Sequence, residues 1–319
     1  MSIMRFVAGT LLVGLMGLGA GVVSGQAYPN KPIRLFASAA GGATDVQARL
    51  IGQGISGPLG QPVVVENRPN IVPFETVAKA PPDGYTLLQE SSLFYIGTLL
   101  QKLPYDPVRD FSPITLVARE PNILVVHPSL PVKSVKELIA LAKARSGELN
   151  YGSGTTGAST HLSAELFKVL AGVKMVRISY KGGGQAVTDL LGGHVHLMFA
   201  TTGSVTPHVK SGKLRALAVT GARPYALLPG LPTVAASGLP GYEFVGLDAV
   251  LAPARTPEAI INRLNQEIVR FLRTAEAKEK FLAAGIVTVV SSPEELAAAM
   301  KADIAKMDKF IRDAGIKAD

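Results

Sequence analysis

Short apolar runs alternate with longer amphipathic ones along nearly the whole chain, and that alternation leaves few folds open. "PIRLFAS" and "QPVVVEN" have the make-up of strands, and between them "TDVQARLIGQGISGPLG" opens on Thr44 as an N-cap and closes at Gly60, as a helix should. "NILVVHP" is followed by "SVKELIALAKA", where Ser134 and Glu137 have the spacing of a capping box. Strand "LNYGS", helix "ASTHLSAELFKVLAG", strand "MVRISY", helix "GQAVTDLLGG" and strands "VHLMFA" and "LRALAVT" continue the pattern. Helices "TPEAIINRLNQEIVRFLRT", "AEAKEKFLAAG" and "SPEELAAAMKADIAKMDKFIRDAG" complete it, with "IVTVVS" expected as a strand before the last. Such βαβ units specify an α/β fold, a mostly parallel sheet with helices on both faces.

The first residues set the compartment. "MSIMR" is a short basic start, "FVAGTLLVGLMGLGAGVV" an apolar run, and small residues follow at Gly25 and Ala27. This is the pattern of a secretory signal peptide over residues 1–27, cut near Ala27, and a mature chain outside the cytoplasmic membrane is expected. No second apolar stretch of spanning length follows. Cytoplasmic nucleotide pools are then out of reach. The chain has no cysteine, which excludes disulfides, thiol nucleophiles and cysteine metal sites. Its formal charge of +8 is dispersed, with no Trp and no basic run, so no nucleic-acid partner is expected. A dispersed positive excess suits small anions better.

"YGSGTTGASTHL" contains a G-x-G-x-x-G in Gly152, Gly154 and Gly157, between a strand and a helix. A dinucleotide site also needs an acid at the end of the next strand, and "MVRISY" leads instead into Lys181. Thr155, Thr156, Ser159 and Thr160 further crowd the turn with hydroxyls that a pyrophosphate does not need. What remains is a glycine turn that exposes backbone N–H groups at the positive end of a helix, an anion seat; a plain βα turn is the alternative. A second turn of the same design, "SAAGGATDVQAR", places Gly41 and Gly42 before a helix opened by Thr44 and Asp45. Facing each other across a cleft, two such turns can grip both ends of a dianion.

Other chemistry is poorly supported. His194 and His196 alternate on one strand without a third ligand at metal spacing. No G-x-S-x-G nucleophile elbow occurs, and "YKGGGQ" lacks the Lys-Ser/Thr ending of a phosphate loop; it can let a helix beginning near Gln185 start close to the cleft floor. No enzyme activity, metal or cofactor is expected. A secreted protein or enzyme that binds nucleotide or phosphate through the GSGTTG turn is the alternative function.

Over nearly the whole mature chain, "YPNKPIRLFASAAGGATDVQARLIGQGISGPLGQPVVVENRP", "APPDGYTLL", "KLPYDPVRDFSPITLVA", "LNYGSGTTGASTHLSAELFK", "YKGGGQAVTDLLGGHVHLMF", "GKLRALAVT" and "LPTVAASGLPGYEF" stand in an order and spacing that resembles the Bug-type receptors of tripartite tricarboxylate transporters. The resemblance implies a monomeric periplasmic solute-binding protein in which two Rossmann-like α/β domains, joined by hinge strands, close on a carboxylate ligand. It also implies a two-component membrane permease as partner, and no catalysis. Domain 1 would comprise residues 28–126 and 253–319, domain 2 residues 127–252, with "PNILVVHP" and "FVGLDAVLAPA" as the hinge. By the same resemblance, Ala40, Gly41, Gly42, Thr44 and Asp45 belong to one wall, Asp45 as a cap and orienter. Ser153, Gly154, Thr155, Thr156, Thr160 and His161 belong to the other.

Departures from the family pattern bear on specificity. After "NRP" this chain has Asn70, Ile71, Val72 and Pro73 in place of a glycine-rich turn, which stiffens and enlarges that loop. After "LMF" it has Ala200, Thr201 and Thr202 where many relatives place an Asp, which removes an acceptor for a ligand ammonium and favours a simple di- or tricarboxylate. Leu247 and Asp248 replace aromatics, and a buried Asp248 would need a hydroxyl, amide or cation as partner; a solvated strand residue is the other reading. In "ESSLFYIG", Phe94 and Tyr95 beside Ser91 and Ser92 could form an apolar wall for an aromatic or long aliphatic diacid, or be ordinary core at a helix start.

Overall fold

The computed structural model describes residues 28–38, 40–69 and 71–317; the expected signal segment, residues 1–27, and Asn70 lie outside them. Strand β1 (Ile33–Ala37) is buried except at Arg34, and it pairs in parallel with β2 (Val63–Asn67) and β3 (Thr86–Glu90). The long strand β4 (Phe111–Val126) belongs to two sheets. Its first part, from Phe111 to Pro121, runs antiparallel to β9 (Val245–Pro253), which pairs on its other side with β3. Its last part, Asn122–Val126, lies antiparallel between β7 (Leu197–Thr201) and β8 (Arg215–Val219). Parallel strands β5 (Asn150–Ser153) and β6 (Val176–Ser179) extend this second sheet beyond β7. The outer strands of each sheet are therefore parallel, and the crossing strands antiparallel. β4 changes partners at Pro121–Asn122, and β9 stays with the first sheet along its length.

Helices α1 (Ala43–Leu59), α5 (Ser159–Ala171), α6 (Gly183–Leu191) and α7 (Thr202–Lys210) follow β1, β5, β6 and β7 directly. Helices α2 (Val72–Ala78), α3 (Leu93–Leu100), α4 (Val135–Ala144), α8 (Glu258–Leu272), α9 (Ala275–Ala283) and α10 (Pro293–Asp313) complete the layers. On α8, Ile261, Leu264, Ile268 and Leu272 recur at helical spacing and bury one stripe against Ile51 and Ile55 of α1 and Ile33 and Leu35 of β1. Ala186, Val187 and Leu190 of α6 pack on Ile123 and Val125 of β4. A third core runs under both sheets and contains Phe36, Phe94, Leu124, Phe167, Phe199 and Met300.

Local details differ from the sequence reading where two devices compete for the same backbone group. The N-cap of α1 is Gly42, with Thr44 already inside the first turn, because the Asp45 carboxylate folds back onto the Gly41 N–H at 2.8 Å. Ser134 does accept from Glu137 N–H, but Glu137 reaches back to the N–H of Lys133; the complete capping box is at Ser292 and Glu295. "IVTVVS" makes one bridge, Thr288 to Ala118, where β4 is irregular, and forms no strand. Pro73 opens α2, so the segment after "NRP" enters a short helix.

Candidate functional site

In parallel βα units the strand's carboxyl end leads into the helix's amino end, so ligands gather at that edge of the sheet. Here the N-termini of α1, α5, α6 and α7 converge on one cavity of about 550 Å³ between the two sheets. Gly41, Gly42 and Ala43 line it from the first sheet; Gly154, Thr155, Gly182 to Gly184, Thr201, Gly203 and Ser204 line it from the second. Residues this small leave the backbone open to a ligand. None of the four N-caps, Gly42, Ala158, Gly182 and Thr201, makes a side-chain capping bond, so first-turn N–H groups remain for an incoming acceptor. Four positive helix ends and no Lys or Arg make this a seat for an anion held by backbone and hydroxyl donors.

Each glycine turn is held from behind. In the first, Gly41 is left-handed, at φ 81°, and its N–H donates to Asp45. Asp45 is fixed by Arg49 and by Asn67 at 2.9 Å each. Burial pushes its carboxyl up, but the Gly41 N–H, Arg49 and Asn67 together outweigh that and hold it below the usual carboxylate range. In the second turn, Arg177 of β6 donates to Ser153 Oγ at 2.8 Å, Thr156 Oγ1 at 2.8 Å and Gly154 O at 3.0 Å. The Thr160 hydroxyl accepts from Gly154 N–H at 2.9 Å, and His161 Nδ1 accepts from Gly157 N–H at 3.2 Å.

A smaller compartment of about 220 Å³ adjoins the first and shares Ala43, Glu120, Ala158, Ser159 and Thr201 with it. Glu90, Glu120 and Asp248 line it, and no basic side chain does. The Glu90 carboxylate accepts from the Ser38 hydroxyl and from the N–H and hydroxyl of Ser91. Gln47, fully buried on α1, donates to Asp248 Oδ2 at 2.7 Å and lies 3.4 Å from Glu120 Oε1. Burial, with the Glu90 charge adding to it, raises the Asp248 carboxyl to about 7. Burial and the Asp248 charge raise that of Glu120 to about 8.

The structure brings Gly41, Gly42, Gly154, Thr155, Thr160 and Thr201 to the larger cavity, and Thr44, Ser91, Ser92, Thr201 and Asp248 to the smaller. Ala40 is exposed at the mouth of its turn. The other eight candidates, Asp45 of the first turn among them, lie outside the cavity linings. Phe94 packs edge-on to Phe74 and Phe111 and stacks on Tyr105, while the Tyr95 hydroxyl bonds Asp303 of α10, so the aromatic pair forms core and no ligand wall. Ser153, Thr156 and His161 spend their polar atoms on the turn itself, Ala200 is fully buried, and the Thr202 hydroxyl donates to Pro121 O at 3.0 Å. Sequence reasoning missed Arg177, Glu120, Gly203, Ser204 and the Ala284–Ile286 loop. A charge inside the apolar run "ITLVAREPNILVV" was the available signal for Glu120. His196 Nδ1 accepts from Asn150 N–H, and among the described residues no group of three or more acids or histidines is placed to hold a metal ion.

Two α/β halves that share a crossing strand, with a cleft walled by uncapped helix N-termini, define a solute receptor of the periplasmic binding protein type. Residues 47–316 match the tripartite tricarboxylate transporter family receptor profile, and the chain belongs to that family. It is 35% identical over 316 residues to protein BugT of Bordetella pertussis, which spans 96% of this chain and 97% of that protein. A structure from R. palustris, Rpa4515 with adipate, is similar at 37% identity and a TM-score of 0.84, over 91% of this chain and 99% of that one. MatC of Rhodopseudomonas palustris with bound malate is similar at 27% identity and a TM-score of 0.79, over 88% and 99%. These relatives are binding proteins. No helix among the described residues is long and apolar enough to cross a membrane.

Proposed function

We propose that the chain is a periplasmic receptor that captures a small carboxylate between its two halves and delivers it to a two-component membrane permease. The observation that carries this reading is the convergence of four uncapped helix N-termini on a cavity without a cationic side chain. Hydrogen bonds from N–H groups and hydroxyls to a carboxylate contribute on the order of 1.5–3 kcal/mol each, enough for firm binding and still reversible. A receptor has to release its cargo. The adipate and malate complexes of similar proteins support the carboxylate class. The narrow double crossing at Pro121–Asn122 and Val245 is where one half would rotate on the other, as a monomer, to enclose the ligand.

The test is a dye-based or calorimetric thermal-shift screen of the mature chain, refolded to remove carried-over ligand, against aliphatic and aromatic carboxylates, amino acids, phosphate and NAD(P). A binder at about 100 times its dissociation constant stabilises the fold by about 2.7 kcal/mol. A response confined to carboxylate-bearing compounds is expected. A response to NAD(P) or phosphate alone would overturn the proposal in favour of a nucleotide or phosphate site at the GSGTTG turn.

A further inference from the structure

The smaller compartment has more acceptors than donors. Among the described residues, Gln47 Nε2 is the one donor hydrogen-bonded to Asp248, and the same nitrogen is the one hydrogen-bonded to Glu120. Asp248 is only 4% exposed and lines the compartment, yet its second oxygen, Oδ1, accepts from no group among the described residues. Behind it, Gln89 donates to Gln47 Oε1 at 2.7 Å and its own buried Oε1 has no donor. The free oxygens of Asp248 and Glu120 open into the compartment, so a ligand that seals it must itself bring donors to them, because an acceptor closed off without a donor is costly. The three carboxyls are not grouped to share one metal ion. The hydrogen-bond donors of an organic ligand group suit the compartment.

We infer that the ligand is an amino-carboxylate, its carboxylate at the helix N-termini of the larger cavity and its ammonium in the compartment of Glu90, Glu120 and Asp248. This rests on the receptor reading above and names the ligand class for the same cleft. Backbone donors gather in the larger cavity and carboxyl acceptors in the smaller, with Glu120 where the two join and no Lys or Arg lining either. A second carboxylate on the ligand would meet acids of its own sign. The Asp absent after "LMF" had weighed against an ammonium ligand; β3, β4 and β9 supply acceptors from the opposite direction.

The ammonium makes binding depend on pH. The titratable groups that face Asp248 and Glu120 are each other, Glu90 of β3, Tyr225 after β8, and Tyr95 of α3 with its partner Asp303 of α10; no cation is among them. An ammonium binds their ionised form, so its affinity rises as pH increases through the range of about 7 to 8 in which they lose their protons.

The experiment is calorimetric titration of the refolded mature chain with 5-aminopentanoate, adipate and hexanoate, which carry an ammonium, a carboxylate or a methyl on the same four-methylene carboxylate. The shorter and longer pairs, 4-aminobutanoate with glutarate and 6-aminohexanoate with pimelate, cover chain length. At pH 8.5 the best amino acid should bind at least about tenfold tighter than its paired diacid, and should weaken several-fold at pH 6. Asp248→Asn with Glu120→Gln should abolish that preference, the diacid then binding at least as tightly as its amino partner, and circular dichroism with a cooperative melt shows that the variant is folded. Diacids that bind tighter than their amino partners would overturn the inference and leave the receptor reading standing. Failure of every carboxylate to bind would overturn both.

Discussion

The two walls of the cleft share one local design, a glycine turn between a strand and a helix, and differ in the charge that stands behind it. Behind the Gly41 turn is Asp45, a carboxylate that takes up one N–H of its own turn and partly offsets the positive helix end. Behind the Ser153–Thr156 turn is Arg177, which fixes three of its oxygens and adds to the positive field. The second turn is also held by Thr160 and His161, whereas among the described residues the first is held by Asp45 and, one step earlier, by Asn67 on the Ser38 carbonyl. On the receptor reading proposed above, this contrast would make the second wall the pre-organised anion seat and the first the wall that closes on a ligand already placed. A rigid seat with a compliant cover keeps most ordering cost out of the binding step.

The sharpest way to break that comparison is Arg177→Ala. Several charge-assisted bonds and the charge nearest the seat go together, so carboxylate affinity should fall about hundredfold, close to 2.7 kcal/mol. Titration calorimetry checks it; a fall no larger than that from Asp45→Ala would make the two walls equivalent. A matched pair of glycine substitutions separates geometry from charge. At Gly157, φ is 86° and an added Cβ would lie 2.9 Å from Leu100 Cδ1; at Gly41, φ is 81° and the space is open. Both substitutions should lose about 1 kcal/mol to the left-handed backbone, and Gly157→Ala a few tenths more as Leu100 shifts, read from chemical denaturation. Equal losses would mean that the second turn yields as easily as the first.

An effect no larger belongs to Asp45. Its folded pKa lies below the unfolded value of about 3.9, so its contribution is present above that pH and is lost as pH falls through the folded pKa. Asp45→Asn should be less stable than the parent by about 1 kcal/mol at pH 5 to 7, the usual size of a lost cap. In acid the gap should close. Melting curves between pH 7 and 2.5 would show it, and a constant gap would mean that the charge of Asp45 has no part in holding the first turn.

Strands β1, β2 and β5 to β8 and most helices were legible because period-2 and period-3.6 burial and the glycine stops are local features. Helix α7 was not, since Gly203 and Pro207 hide a helix that tertiary packing supports. Both glycine turns could be found from spacing, but Ser153, Thr156 and His161 have the composition of ligand groups and act as struts. A hydroxyl's type says that it will bond, and its direction decides with what.

By itself the sequence determined the α/β alternation, the family and the two glycine turns, because each is written in neighbouring residues. The tertiary structure decided what meets at the cleft: Arg177 behind the second turn, four helix ends around one cavity, and Gln47 against Asp248 across 201 residues of chain. Burial and pairing at that separation depend on how β4 and β9 cross, and no local pattern encodes where two distant side chains share a donor.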